Sequence, residues 1–186
     1  ENVLRGVYGH GFEKPSQIQI DSIPIIIQGK DIVAQAQSGT GKTGAFSIGS
    51  LCRIDPLSKS IQSLIIVPTR ELADQVYKVI TDISSYTDIT TLKVIGGTNI
   101  SMCRDSLRNA PHVIIGTPGR ILDMIHRQYL LTCDIKSLIL DEADEILSYG
   151  FKDCIHDIIK SIPKETQICL FSATLPDEIM ELTDKF

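Results

Sequence analysis

"DIVAQAQSGTGKT", Asp31 to Thr43, decides the architecture. Its apolar first half reads as a strand, and it runs straight into two glycines and a Lys-Thr pair that open a helical stretch. Similar apolar runs recur as "SLIIV" from Ser63, "TLKVI" from Thr91, "HVIIG" from His112, "SLILD" from Ser137 and "QICLF" from Gln167. Between them lie segments with helical spacing. "RELADQVYKVITDISSY" puts Leu72, Val76, Val79, Ile80 and Ile83 on one stripe, and "RILDMIH" and "FKDCIHDIIKSI" behave alike. Strands without polar alternation, separated by helices, predict an α/β domain: a parallel β-sheet with helices on both faces. "IDPLSKS" around Pro56 reads as a surface loop, and nothing suggests a repeat or an internal linker.

The segments into which the strands run are more telling. In chain order they are "QSGTGKT", "PTREL", "GGTN", "TPGR", "DEAD" and "SAT". All carboxyl ends of a parallel sheet point one way, so these segments are expected along a single edge, where open α/β sheets bind ligands.

"AQSGTGKT", Ala36 to Thr43, matches the P-loop pattern except that Ala36 stands where the pattern has its first glycine. Gln37, Ser38, Gly39, Thr40 and Gly41 would wrap phosphates with backbone N–H groups at the positive end of the next helix. Lys42 would reach the β- and γ-phosphates, and the Thr43 hydroxyl would ligate Mg2+. In "SLILDEAD" a buried strand ends in adjacent carboxylates, Asp141 and Glu142, with Asp144 beyond. Asp141 could serve only as a helix cap. Beside a P-loop it is better read as a second Mg2+ ligand, acting through water, with Glu142 as the base that orients and deprotonates the attacking water.

These motifs together resemble the first RecA-like domain of the DEAD-box RNA helicases, along nearly the whole chain. The resemblance implies a RecA-like P-loop fold over residues 1–186, with ATP and Mg2+ as ligands. "GFEKPSQIQ", residues 11–19, resembles the family's adenine-reading Q motif. It implies that Phe12 stacks on the base, that Gln19 bonds its Hoogsteen edge, and that Ser16 and the Lys14 backbone lie nearby. Residues 36–43 would be the P-loop, 141–144 the DEAD box and 172–174 the SAT motif. Pro68, Thr69, Arg70 and Glu71, then Gly96 and Gly97, then Thr117, Pro118, Gly119 and Arg120 match the family's RNA-backbone motifs. The arginines can pair phosphates, and helix starts expose N–H donors. With no aromatic interleaving, sequence-independent binding of single-stranded or short duplex RNA is expected. Ser172, Ala173 and Thr174 resemble the motif that couples ATP state to RNA work, their hydroxyls meeting Asp144.

"VLRGVYGHGFEKPSQIQ" and "DEADEILSYGFKD" are similar to the translation initiation factor 4A group, which implies initiation-complex proteins as partners and a cytoplasmic location, with the nucleus as alternative. The resemblance also implies a second RecA-like domain, absent from this chain, carrying arginine fingers worth about 10³–10⁵ in rate. The full protein would then be an RNA-stimulated ATPase, and this domain alone nearly inactive. An ATP-gated RNA clamp or scaffold, with unwinding secondary, is the alternative. A GTPase is disfavoured because no Asn-Lys-x-Asp guanine reader occurs.

The bulk numbers are those of a globular protein. The 186 residues suit one domain, and the first residue, Glu1 in place of Met, suggests a fragment. A net charge of −5 requires any nucleic-acid binding to rest on a local patch. No run is long enough to span a membrane, and no secretory signal opens the chain. The five cysteines are scattered without zinc spacing and read as small buried hydrophobes, and the four histidines do not suggest a metal site. Asn99-Ile100-Ser101 reads as a chance glycosylation sequon.

Overall fold

The computed structural model describes residues 1–184. The six apolar runs all form strands: β1 (Ile32–Gln35), β2 (Ser63–Ile66), β3 (Thr91–Val94), β4 (Val113–Gly116), β5 (Ser137–Leu140) and β6 (Gln167–Ser172). The helices are α1 (Asn2–Gly9), α2 (Gln17–Ile27), α3 (Lys42–Leu51), α4 (Arg70–Ser84), α5 (Ile100–Leu107), α6 (Pro118–His126), α7 (Ala143–Ser148), α8 (Lys152–Ser161) and α9 (Asp177–Asp184). Every strand pairing is parallel, and the spatial order is β1-β6-β5-β2-β4-β3.

The strands lack polar alternation because both faces of the sheet are covered. Leu64, Ile66, Ile114, Leu138, Leu140 and Leu170 pack on one side with residues of α5 to α9. Ile65, Val67, Val113, Ile115, Ile139, Cys169 and Phe171 face the other side, against residues from α2, α3 and α4. On α4 the predicted stripe is buried at Val76, Ile80 and Ile83, while Leu72 and Val79 sit half-buried at its margin. Each fully buried aliphatic side chain contributes about 1.5–3 kcal/mol.

Local chemistry starts the helices. Thr69 Oγ1 accepts from Leu72 N–H at 3.2 Å to cap α4, and Pro118 takes the first position of α6, where its missing N–H costs nothing. Asn99 Oδ1 accepts from Ser101 N–H and Met102 N–H, so the sequon asparagine is the cap of α5. The cysteine expectation needs correction. Cys103 and Cys169 are buried, but Cys52 and Cys133 are exposed and Cys154 lies between, because helix ends and loops carry them out of the core. No described helix is long and apolar enough to cross a membrane.

Candidate functional site

The glycine loop, residues 36–43, is shaped by what packs behind it. Gly41 has φ +99°, and a Cβ there would lie 2.7 Å from Ser16 Oγ and 2.9 Å from Gln19 Nε2. A Cβ on Gly44 would meet Gln19 Nε2 at 2.6 Å and the Phe12 ring at 2.9 Å. Bare backbone at these positions lets the 11–19 segment lie directly on the start of α3. Gln19 is buried and ties the two together, its Nε2 donating to Gly41 O at 3.1 Å and its Oε1 accepting from Ser16 N–H at 3.0 Å. The amide keeps one further donor and one further acceptor position. Ser16 and Gln19 stand in a capping-box arrangement, but only the glutamine half closes to a hydrogen bond, and the buried Ser16 Oγ is left without a partner beside the loop.

Gln37, Ser38, Gly39 and Thr40 are exposed, with Thr40 Oγ1 donating to Gln37 O at 2.7 Å. Ala36 does not cradle through its N–H, which donates to Ser172 O and extends the ladder between β1 and β6. Thr43 is half-buried in the first turn of α3, where backbone N–H groups have no intrahelical partner. Phe12 and Gln19, with exposed Lys14, border a mainly apolar cavity of about 260 Å³, also lined by Val3, Val7, Tyr8 and Cys52. The α1 side chains there were not among the sequence candidates, because nothing in their helical spacing says where α1 docks.

Asp141 and Lys42 lie together. Lys42 Nζ is 3.0 Å from Glu142 Oε1, and Lys42 and Asp141 are each only a few per cent exposed. Burial pushes the Asp141 carboxyl up to about 7, against the pull of the Lys42 ammonium; neighbouring Glu142 and Asp144 add to the rise. Glu142 N–H donates to Asp141 Oδ1 at 3.0 Å. Glu142 itself holds φ 51° and ψ 50°, a left-handed conformation that a non-glycine residue keeps only when its surroundings impose it. Such strain gathers at functional sites, and no local sequence signal marks it here.

The next layer is the contact between α7 and the end of β6. Asp144 N–H donates to Ser172 Oγ at 3.2 Å, while Thr174 N–H and Oγ1 donate to Asp144 Oδ2 at 3.0 and 2.8 Å. Partial burial works to raise the Asp144 pKa, but the hydrogen bonds from Thr174 and Ser172 outweigh it and hold the carboxyl below its ordinary range. The predicted meeting of Asp144 with the SAT hydroxyls is therefore present. Ala173 lies half-buried between them, its carbonyl accepting from Gln35 Nε2.

Along the other half of the edge, Pro68, Thr69, Arg70, Glu71, Gly96, Thr117, Gly119, Arg120 and Phe151 line a groove of about 460 Å³. A Cβ on Gly97 (φ +82°) would lie 2.7 Å from Arg70 Nη1, so the glycine pair leaves room for that guanidinium. Arg120 Nη1 donates to Thr98 O and Oγ1 at 3.1 and 2.9 Å, and Nη2 to Thr98 O at 3.1 Å. Arg120 thus clasps the loop after β3, and it also meets the Cys103 thiol of α5. Thr98 and Phe151 were not among the sequence candidates. Phe151 puts one aromatic ring beside a groove for which none was expected.

Comparison with known proteins places these features. Residues 16–182 match the DEAD/DEAH box helicase family. The chain is 51% identical over 184 residues to a protein of Aspergillus fumigatus named ATP-dependent RNA helicase eIF4A, covering 99% of this chain and 45% of that protein. It is 50% identical over 186 residues to the protein of the same name from Mycosarcoma maydis, again 45% of its length. The chain therefore spans about half the length of these curated relatives. Among solved structures, S. cerevisiae Dbp5 bound to RNA and ADP BeF3 superposes with a TM-score of 0.89 at 36% identity, over 99% of this chain and 47% of that one.

Proposed function

Because this chain belongs to the DEAD/DEAH box helicase family, we propose that it forms the ATP- and RNA-binding domain of an RNA helicase that couples RNA-stimulated ATP hydrolysis to local duplex opening. The observation that carries this reading is the approach of Lys42 to Glu142, beside Asp141, at the mouth of the glycine loop. The residues suit a nucleoside triphosphate. Phe12 offers a face for a purine, and the remaining valences of Gln19 suit a base with both a donor and an acceptor. The N–H groups at the start of α3 and the Lys42 ammonium meet the phosphates. The RNA-bound state of Dbp5 supports RNA as the ligand of the groove bordered by Arg70 and Arg120.

The site also suits magnesium. Among the described residues no three acidic, histidine or cysteine side chains gather as a cage, which agrees with a hard cation held largely by phosphate oxygens and water. Thr43 and Asp141 would hold it, and a cation nearby would favour the charged form of the buried Asp141 carboxyl. Bound there, the metal would neutralise charge on the phosphates. Glu142, once Lys42 turns to phosphate, is free to orient water and accept its proton.

On this reading a second RecA-like unit of the same protein closes on the sheet edge and completes the catalytic site. The likeness to initiation factor 4A supports a role in translation initiation, in the cytoplasm, with initiation-complex proteins as partners. The test is Glu142→Gln in the full-length protein, with measurement of ATP affinity, RNA-stimulated phosphate release and strand displacement. Affinity should persist while hydrolysis and displacement fall together. Equal loss of binding and hydrolysis would reject Glu142 as the base.

A further inference from the structure

Phe12, the proposed purine platform, is not held by its own segment alone. Its N–H donates to Val7 O at 3.1 Å, tying it to the last turn of α1, and one rim of the ring lies over Gly44 of α3. The other neighbour is His10. The two rings approach with centroids 4.7 Å apart and planes inclined at 74°, a favoured edge-on arrangement for aromatic groups. His10 is itself anchored. Its Nδ1 lies 3.0 Å from Asp82 Oδ2 on α4, and because a carboxylate only accepts, that nitrogen carries the hydrogen. The backbone N–H of His10 donates to Gly6 O at 2.8 Å. Gly6 sits so close to α4 that a Cβ there would be 1.8 Å from Ile83 O, so α1 cannot slide without breaking that contact.

We propose that His10 is a positioning residue for adenine binding: Asp82 fixes the imidazole, and the imidazole fixes the angle of the Phe12 ring against which the base lies. The inference rests on the reading of Phe12 as the purine platform. It adds a residue that never touches the phosphates, so its effect belongs to the base alone. Losing an aromatic contact of this kind costs about two- to tenfold in an affinity that depends on it.

The full-length protein, its His10→Ala, His10→Phe and Phe12→Ala variants are titrated with ATP and, separately, with inorganic tripolyphosphate, both in the presence of magnesium. His10→Ala should weaken ATP about two- to tenfold and leave tripolyphosphate unchanged, and His10→Phe, which keeps a ring beside Phe12 but loses the hold of Asp82, should regain part of the loss. A general loosening of the domain would weaken both ligands in His10→Ala and would overturn the proposal. So would unaltered ATP affinity in His10→Ala while Phe12→Ala is impaired, or failure of His10→Phe to restore any of it. If Phe12→Ala itself binds ATP normally, the reading of Phe12 falls, a result distinct from failure of His10 to position it.

Discussion

Lys42 and Glu142 hold each other where water reaches neither freely, and the carboxyl of Asp141 shares their pocket. An ammonium in such a place has few alternatives to its acidic neighbours, so on the proposed reading phosphates offer it a better partner. Lys42→Ala removes both the proposed phosphate contact and the cation that keeps Asp141 from rising further. Charge-assisted hydrogen bonds of this kind are worth about 1.5–3 kcal/mol, so nucleotide affinity should fall roughly ten- to a hundredfold. A fluorescent-nucleotide titration checks this, and unchanged affinity would remove Lys42 from the phosphate site. Gly41 tests the same pocket through the backbone. A methyl group there would need φ near +99° and would press on Ser16 Oγ and Gln19 Nε2. Gly41→Ala should cost roughly 1–3 kcal/mol of stability, seen as a lower Tm, and should weaken nucleotide binding by displacing Gln19.

Between elements, the decisive joint is that of α7 with the end of β6. Thr174→Val removes one of the two donors to Asp144 Oδ2 without changing shape, and should cost about 0.5–1.5 kcal/mol. If the joint couples nucleotide state to RNA, the variant in full-length protein should keep ATP hydrolysis and lose strand displacement. Loss of both in proportion would make the joint merely structural. Acid pH probes it as well. The folded-state pKa of Asp144 is depressed, so its contribution is fully present above the ordinary carboxylate range and lost as pH falls through the folded value. Asp144→Asn should therefore show a shallower decline of Tm with acidification than the parent. The strands and the longer amphipathic helices are readable in the sequence because strands covered on both faces have no reason to alternate, whereas the capping roles of Thr69 and Asn99 emerge only in the structure. Their spatial order is not readable, since pairing β1 with β6 joins segments far apart in the chain and leaves no local trace. The left-handed Glu142 is hidden for a related reason: its conformation is imposed by surrounding contacts, against the preference of its residue type. Exposure of Cys52 and Cys133 is likewise decided by where helices and loops end up, not by the cysteines.

At the scale of the molecule, the sheet sorts motifs that the chain interleaves. Reading the edge in the order β1-β6-β5-β2-β4-β3 gives the phosphate loop, SAT, DEAD, PTREL, TPGR and the glycine pair. The first three belong to the proposed nucleotide half and the last three to the proposed RNA half, with β5 and β2 meeting at the boundary. A parallel sheet can place its ligands side by side in this way because every strand delivers its loop to the same edge. The halves should then be separable by mutation. Arg120, on the far half, clasps Thr98 and lines the groove. In the full-length protein Arg120→Ala should weaken single-stranded RNA several-fold, with little dependence on sequence, and leave nucleotide affinity measured without RNA unchanged. Salt distinguishes its two contributions: a direct phosphate contact lowers the slope of log affinity against log salt by about 0.7 when it is removed, whereas a purely loop-organising role lowers affinity at constant slope. Because the guanidinium lines the groove, the expected result is a reduced slope, with Thr98→Val giving a smaller loss of affinity and no change of slope. Fluorescence anisotropy over a potassium chloride series, paired with a nucleotide titration, measures both quantities, and a proportional fall in nucleotide affinity without RNA would refute the division of the edge.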